Sequence, residues 1–172
     1  MIDDWEDYEC DKLQLSFEEK RSLTAKKTER IRQFKAEGGR LKRGDYGRQA
    51  VYRSEWAAQS QFQFPAKKMT IFEMKVEAER IFQDERVMEI DPFPGEKIYI
   101  ESSTIRGAIA FPFERRMRFG VLRDNYTLLH EIAHLLAIND LHGQEFCRIL
   151  CLLHEWFIST NNARVLRSIF WN

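Results

Sequence analysis

Apolar residues recur at helical spacing in several separate stretches of this chain and alternate only in a short central region. Thr70-Ile71-Phe72-Glu73 is a capping box, and Ile71, Met74, Ala78, Ile81 and Phe82 share one face of a helix predicted to run to about Asp84. An earlier box, Ser16-Phe17-Glu18-Glu19, opens a helix predicted to reach about Ala36 and to stop at Gly38-Gly39. Its apolar positions are sparse (Phe17, Leu23, Ile31 and Phe34), so it should be solvated and pack along one thin side. Gln49 to about Ser60 reads as a short helix with Val51, Tyr52 and Trp56 on its apolar side. Phe62-Gln63-Phe64-Pro65 reads as a loop with aromatic anchors.

Between residues 87 and 111 the period changes. Val87-Met88-Glu89-Ile90 reads as a short strand closed by the turn Asp91-Pro92-Phe93-Pro94-Gly95. Ile98-Tyr99-Ile100 alternates, and a second run from Ile105 to Phe111 follows the Ser102-Ser103-Thr104 turn, with Pro112 as the stop of a third strand. Beyond it, Leu128, Leu129, Ile132, Ala133, Leu135, Leu136 and Ala137 make an apolar helix capped by Asp124 or Asn125. Phe146 to about Thr160 is apolar nearly all round and should be buried. Asn161 or Asn162 should cap a last helix carrying Val165, Leu166, Ile169 and Phe170, with Trp171 sealing the core or serving self-association. Helices on both sides of a few strands predict an α+β chain.

Composition narrows the class. The chain has 172 residues, 44% hydrophobic with thirteen Phe, enough for one real core with an appendage. We divide it into an acidic tail plus charged helix (1–39) and a main domain (40–172). Lys and Arg number 27 against 27 Asp and Glu, so no global charge draws the chain to nucleic acid or an anionic membrane. No apolar run is long enough to span a bilayer, and the acidic start Met1-Ile2-Asp3-Asp4-Trp5-Glu6-Asp7 is not a signal peptide. Three cysteines, an odd number, argue against a disulfide framework and for a reducing cytoplasm of a bacterium or phage-infected cell. Residues 1–15 read as a tail, flexible or docking.

The chemistry concentrates in His130-Glu131-Ile132-Ala133-His134. Residues four apart on a helix lie one turn above each other on one face, so His130 and His134 could hold one Zn²⁺ and leave other positions open. Glu131 stands where a carboxylate could take a proton from a metal-activated water. Two incidental histidines on a core helix are the bland alternative. His142 would lie about 12 Å beyond His134 on a continued helix, too far to share an ion. The helix must therefore stop, at Asn139-Asp140, and turn back through Gly143 before a new helix begins near Gln144-Glu145. His142 is then the third ligand, with Glu145 or His154 as substitutes. Cys147, Cys151 and His154 share a helical face, but a closed structural zinc wants four ligands and buried Cys is commonly a small hydrophobe.

These residues carry a resemblance. His130-Glu131-Ile132-Ala133-His134 followed by His142-Gly143-Gln144-Glu145-Phe146 resembles the SprT-like zincins, and more closely a group of small actinobacterial and phage metallohydrolases. Asp45-Tyr46-Gly47-Arg48-Gln49-Ala50-Val51-Tyr52-Arg53-Ser54-Glu55 looks like the opening of the latter group. The resemblance spans roughly residues 45–160, with only the metal segment specific. It implies a zincin-like minimal metalloprotease fold, His130, His134 and His142 as ligands, Glu131 as catalytic base, zinc as cofactor and a peptide bond as substrate. It also implies a small twisted sheet before the metal helix, with Ala108, Ile109 and Ala110 in the edge strand that pairs with an extended substrate; a plain inner strand is the alternative. No four-cysteine ribbon follows, as it does in many SprT-like proteins. The metzincin spacing is also not met, since Ala137 stands where its glycine would be.

Tyr126, one turn before His130, and Tyr99 are candidate donors to the oxyanion. Two other classes remain beside a peptidase acting on a protein or peptide. One is a nucleic-acid-associated protease using the basic helix or the segment Arg40–Arg48; the other is an interaction protein with structural zinc. The oligomeric state is not readable from the sequence.

Overall fold

The computed structural model describes residues 13–171 except Arg43 and Leu122. The fold is α+β, with seven α-helices and a three-stranded sheet among these residues. The helices are α1 (Phe17–Ala36), α2 (Arg48–Gln59), α3 (Ile71–Phe82), α4 (Glu85–Ile90), α5 (Asn125–Leu136), α6 (Gln144–Phe157) and α7 (Thr160–Phe170). The strands are β1 (Tyr99–Ser102), β2 (Ala108–Phe111) and β3 (Arg116–Phe119). None of the helices is long and apolar enough to cross a membrane.

Both capping boxes form: Ser16 accepts from Glu19 N–H, and Thr70 from Glu73 N–H, with each glutamate bonding back to its cap. All five apolar positions assigned to α3 are buried. The core unites them with Leu128, Leu129, Ile132 and Leu135 of α5 and Ile149, Leu150 and Leu153 of α6. Residues 1–12 of the acidic tail lie outside the described residues. Leu13 does not hang free; its carbonyl accepts from Ser102 N–H at 2.7 Å, so the chain enters along β1.

Five local expectations need correction. Val87–Ile90 is helix, not strand, because Asp84 caps Arg86 N–H at 3.0 Å and only Val87 is fully buried. The run from Ile105 shortens to Ala108–Phe111, with bends before it. The strand does stop at Pro112, as expected, and that proline opens a 3₁₀ turn, Pro112–Glu114. The third strand is Arg116-Met117-Arg118-Phe119, whose alternation is plain once the arginines are seen to face Glu101 at 2.5 and 2.7 Å. Trp56 is 80% exposed rather than on a packed face, and α7 is capped by Ser159, which accepts from Asn162 N–H at 3.1 Å.

The sheet order is β1-β3-β2, parallel between β1 and β3 and antiparallel between β2 and β3. Strand β2 is therefore an edge, lying beside α5. The charged helix α1 buries Leu23 and docks on the 3₁₀ turn: Lys27 pairs with Glu114 at 3.0 Å, Arg30 donates to Phe113 O at 2.9 Å, and Phe34 meets Phe113 edge-on.

Behind the sheet, Arg115 is the largest fully buried side chain. It forks onto Asp91 at 2.6 and 2.9 Å, both side chains 1% exposed, and its guanidinium lies over Phe82. Removing one partner of such a pair strands a buried charge. Asp91→Ala should destabilise the protein by about 3–5 kcal/mol in denaturant titrations. A loss no larger than that from breaking the exposed Arg80–Glu77 pair would contradict this role.

Candidate metal centre

Helix α5 starts where Asp124 accepts from Thr127 N–H at 2.7 Å and ends at Leu136, with Ala137 as C-cap. It carries His130 and His134 one turn apart toward the same cleft. The chain then reverses through Asn139 and Leu141, both left-handed at φ of 62° and 56°. The stop thus comes a few residues earlier than Asn139-Asp140, and two residues rather than one take the unusual conformation. Gly143 is not left-handed (φ −85°); a Cβ there would sit 2.4 Å from the Asp140 carboxylate, so the glycine provides space rather than freedom. That carboxylate accepts from Phe146 N–H at 3.0 Å and so caps α6. The reversal returns His142 to the other two.

The three imidazoles converge. Their ligand atoms lie within 4.8 Å of one another, and among the described residues this is the only grouping that could hold a metal ion. His130 Nε2 and His142 Nε2 are 3.2 Å apart. Two nitrogens about 2.0–2.1 Å from a tetrahedral ion would be separated by about 3.3–3.4 Å, so the observed gap fits a shared cation.

Carboxylates fix the outward nitrogens. His130 Nδ1 is 2.9 Å from both Glu55 oxygens, and His142 Nδ1 is 2.5 Å from Asp45 Oδ2. His134 donates to the Leu141 carbonyl. Such acceptors hold the Nδ1–H tautomer and turn the Nε2 lone pair of His130 and of His142 inward. The protonation preferences match. Burial, with the neighbouring His130 and His142 charges, pushes His134 down to about 2. Burial also lowers His142 against the pull of Asp45, whereas for His130 burial is the largest influence but the charge and hydrogen bond of Glu55, with Glu131, together outweigh it and raise the ring. A proton could bridge one pair of nitrogens, and a metal ion could serve all three. The residues therefore fit a metal with an open position beside them, the chemistry of an N₃ donor set.

Glu131 faces the same cleft and is 4% exposed. Burial pushes its carboxyl up to about 7, with His130 opposing, Glu55 adding, and the Ala110 N–H of β2 donating to it. Because antiparallel pairing alternates, Ala108 presents its backbone to the same outer edge as Ala110, while Ile109 turns toward β3. Ala108, Ile109 and Ala110 all line the cleft.

Several candidates are engaged elsewhere. Tyr126 lines the larger cavity of the cleft, but its hydroxyl is committed: it donates to the Phe64 carbonyl and accepts from Asn162 Nδ2 at 3.3 Å, fastening α5 to α7. Tyr99 sits on β1 under Lys97, remote from the cleft lining. Glu145 pairs with Arg148 at 2.6 Å and is no ligand. His154 stacks on Tyr126 and Phe62, and with Cys147 and Cys151 it forms no metal grouping.

Four contributors escaped the sequence reading. Asp45 and Glu55 stand in the stretch whose resemblance was noted, but nothing in their spacing ties them to particular histidines. Tyr52 was assigned to packing; its ring instead stacks on His130 (centroids 5.2 Å, 18°) and meets His142 edge-on at 5.1 Å. Gly47 is needed because a Cβ there would lie 2.6 Å from the His142 carbonyl, so the Asp45 segment rests directly on the turn.

Comparison with protein-family models, with curated proteins and with solved structures finds no match for this chain.

Two predictions follow from the supporting groups. Glu55→Gln should weaken zinc affinity about 10–100-fold in competition with a chelator, while the metal-free variant melts normally. His154 supplies a pH test. Burial holds it down to about 3, so between about pH 6.5 and 3 the unfolded chain binds a proton that the folded chain refuses, and stability falls as pH falls. In chelator, the drop from pH 7.5 to pH 5 should be about 2 kcal/mol smaller in His154→Leu than in the unmutated protein. Equal drops would contradict the assignment.

Proposed function

We propose that the chain is a zinc-dependent metallopeptidase on a zincin-like scaffold, hydrolysing a peptide bond with Glu131 as general base. The observation that carries the reading is the placement of one buried carboxylate, Glu131, between three converging imidazoles and the backbone of an edge strand. A zinc ion held by His130, His134 and His142 supplies Lewis acidity and brings water within reach of deprotonation near neutral pH.

The chain's own residues do the rest. Glu131 takes the proton of the attacking water and returns it to the leaving amine, a task suited to a carboxyl poised near neutrality. The outer edge of β2 at Ala108 and Ala110 holds an extended substrate backbone by strand addition. Tyr52 lines both cavities of the cleft and takes the oxyanion-donor role that Tyr126 cannot fill. Glu55 and Asp45 keep the imidazoles oriented.

A three-nitrogen donor set beside a buried carboxylate favours this reading over structural zinc, which is usually closed by four ligands. A nucleic-acid-associated variant has less support: Lys27, Arg30 and Lys42 of the basic stretches engage Glu114, Glu96 and Asp140 of the chain itself.

Glu131→Gln, assayed on a mixed peptide pool after zinc loading, should keep its zinc and lose turnover about 10²–10⁴-fold. Loss of zinc in that variant, or turnover undiminished, would remove Glu131 from the role of base.

A further inference from the structure

Two guanidinium groups beside the site have no carboxylate at hydrogen-bond distance. Arg48 and Arg53, both on α2, line the larger cavity of the cleft, about 500 Å³, with Tyr52, Trp56, Gly107 and Glu131 around them. Several exposed arginines of this chain find an acid at hydrogen-bond distance, as Arg32 does with Glu29, Arg86 with Asp84 and Arg148 with Glu145, but these two, unlike those, line a cavity beside the site. Among the described residues neither Arg48 nor Arg53 forms an ion pair with any carboxylate. Arg48 meets the Tyr52 phenol and ring and lies close enough to Glu131 for its charge to draw that carboxyl down, but its guanidinium bonds to no carboxylate.

The acids on the same walls are already engaged. Glu55 is held by His130, and Glu131 receives the Ala110 N–H. The cations therefore face open cavity. Next to them Trp56 holds an indole 80% exposed on the rim, although large aromatic side chains ordinarily bury. A ligand that satisfies this wall needs an anionic head for two guanidinium forks and an apolar stem for an indole. Guanidinium is suited to carboxylates, which it can meet through paired N–H donors. The cavity adjoins Glu131 and Ala108 of β2, so its occupant belongs to a chain lying along that edge.

We propose that this cavity is the specificity pocket of the site and takes an acidic side chain, Asp or Glu, of a peptide substrate. Arg48 and Arg53 hold the carboxylate, and the side-chain methylenes lie on Trp56. The inference rests on the peptidase reading and adds to it the class of peptide cut.

The test is a cleavage profile of the full-length, zinc-loaded protein on a peptide library randomised around one cut position. Asp and Glu should be enriched at one position within two residues of the cut, and the enrichment should weaken as salt rises. In Arg53→Glu, kcat/KM for the best acidic peptide should fall about tenfold or more while the matching lysine peptide gains. Arg48→Gln should weaken the acidic preference in the same direction. Cleavage by the unmutated protein with no acidic preference overturns the pocket assignment alone, whether or not the variants fold. A preference that survives unchanged in folded, zinc-containing Arg53→Glu and Arg48→Gln overturns it as well. No cleavage of any peptide by the zinc-loaded protein overturns the peptidase reading, and the pocket with it.

Discussion

Three imidazoles, His130 and His142 buried and His134 half-buried, turn their ring nitrogens on one point, an arrangement that could hold a metal ion, and the rest of the site is built around that convergence. His130 and His142 come within 3.2 Å, nitrogen to nitrogen, while Glu55 and Asp45 occupy their other ring positions. Ring nitrogens this close must share a proton or a cation, because facing acceptors repel and buried polar atoms are costly when unmatched. The carboxylates make the convergence stable by fixing ring orientation from outside. They come from residues 45 and 55, far from the histidines in sequence, so the first turns of α2 and the segment before it belong to the site as much as α5 does.

The scaffold holds these pieces by separate means. Helix α5 is fixed on its apolar side by α3 and α6, and at its start by Tyr126 bridging Phe64 and Asn162. Its ends differ: a regular N-cap at Asp124, then a reversal through two left-handed residues that only a well-braced turn would tolerate. The bracing is visible. Asn139 Oδ1 accepts from Lys42 N–H, Asn139 Nδ2 donates to the Arg40 carbonyl, and Asp140 caps α6 while pairing with Lys42. The segment leading to Asp45 is thus tied to the turn that carries His142, which couples the two ends of one hydrogen bond through the backbone.

Much of this was legible in the sequence because it is local. Capping boxes at Ser16 and Thr70 and the one-sided apolar spacing of α3 and α5 depend on neighbours three or four residues away. So does the i, i+4 pairing of His130 and His134. The requirement that the chain double back for His142 followed from length alone. What the sequence hid depends on distant partners. Val87–Ile90 has strand-like residues, yet a cap at Asp84 and burial on only one side make it helix. Strand β3 escaped because its arginines look like solvated charges until Glu101, buried between Arg116 and Arg118, is placed opposite. Tyr126 looked catalytic by proximity along the helix; its hydroxyl is claimed by Phe64, sixty-two residues earlier. No local signal distinguishes Tyr52 as the ring that reaches the histidines.

The central claim is that His130, His134 and His142 share one metal ion. Zinc content and the zinc X-ray absorption spectrum of protein purified without added metal test it most directly. The account predicts one zinc per chain in a shell of imidazole nitrogens and oxygen at about 2.0 Å. A chain that takes up no zinc even on reconstitution would contradict it, as would a shell containing sulfur at about 2.3 Å, which would move the ion to the cysteines of α6.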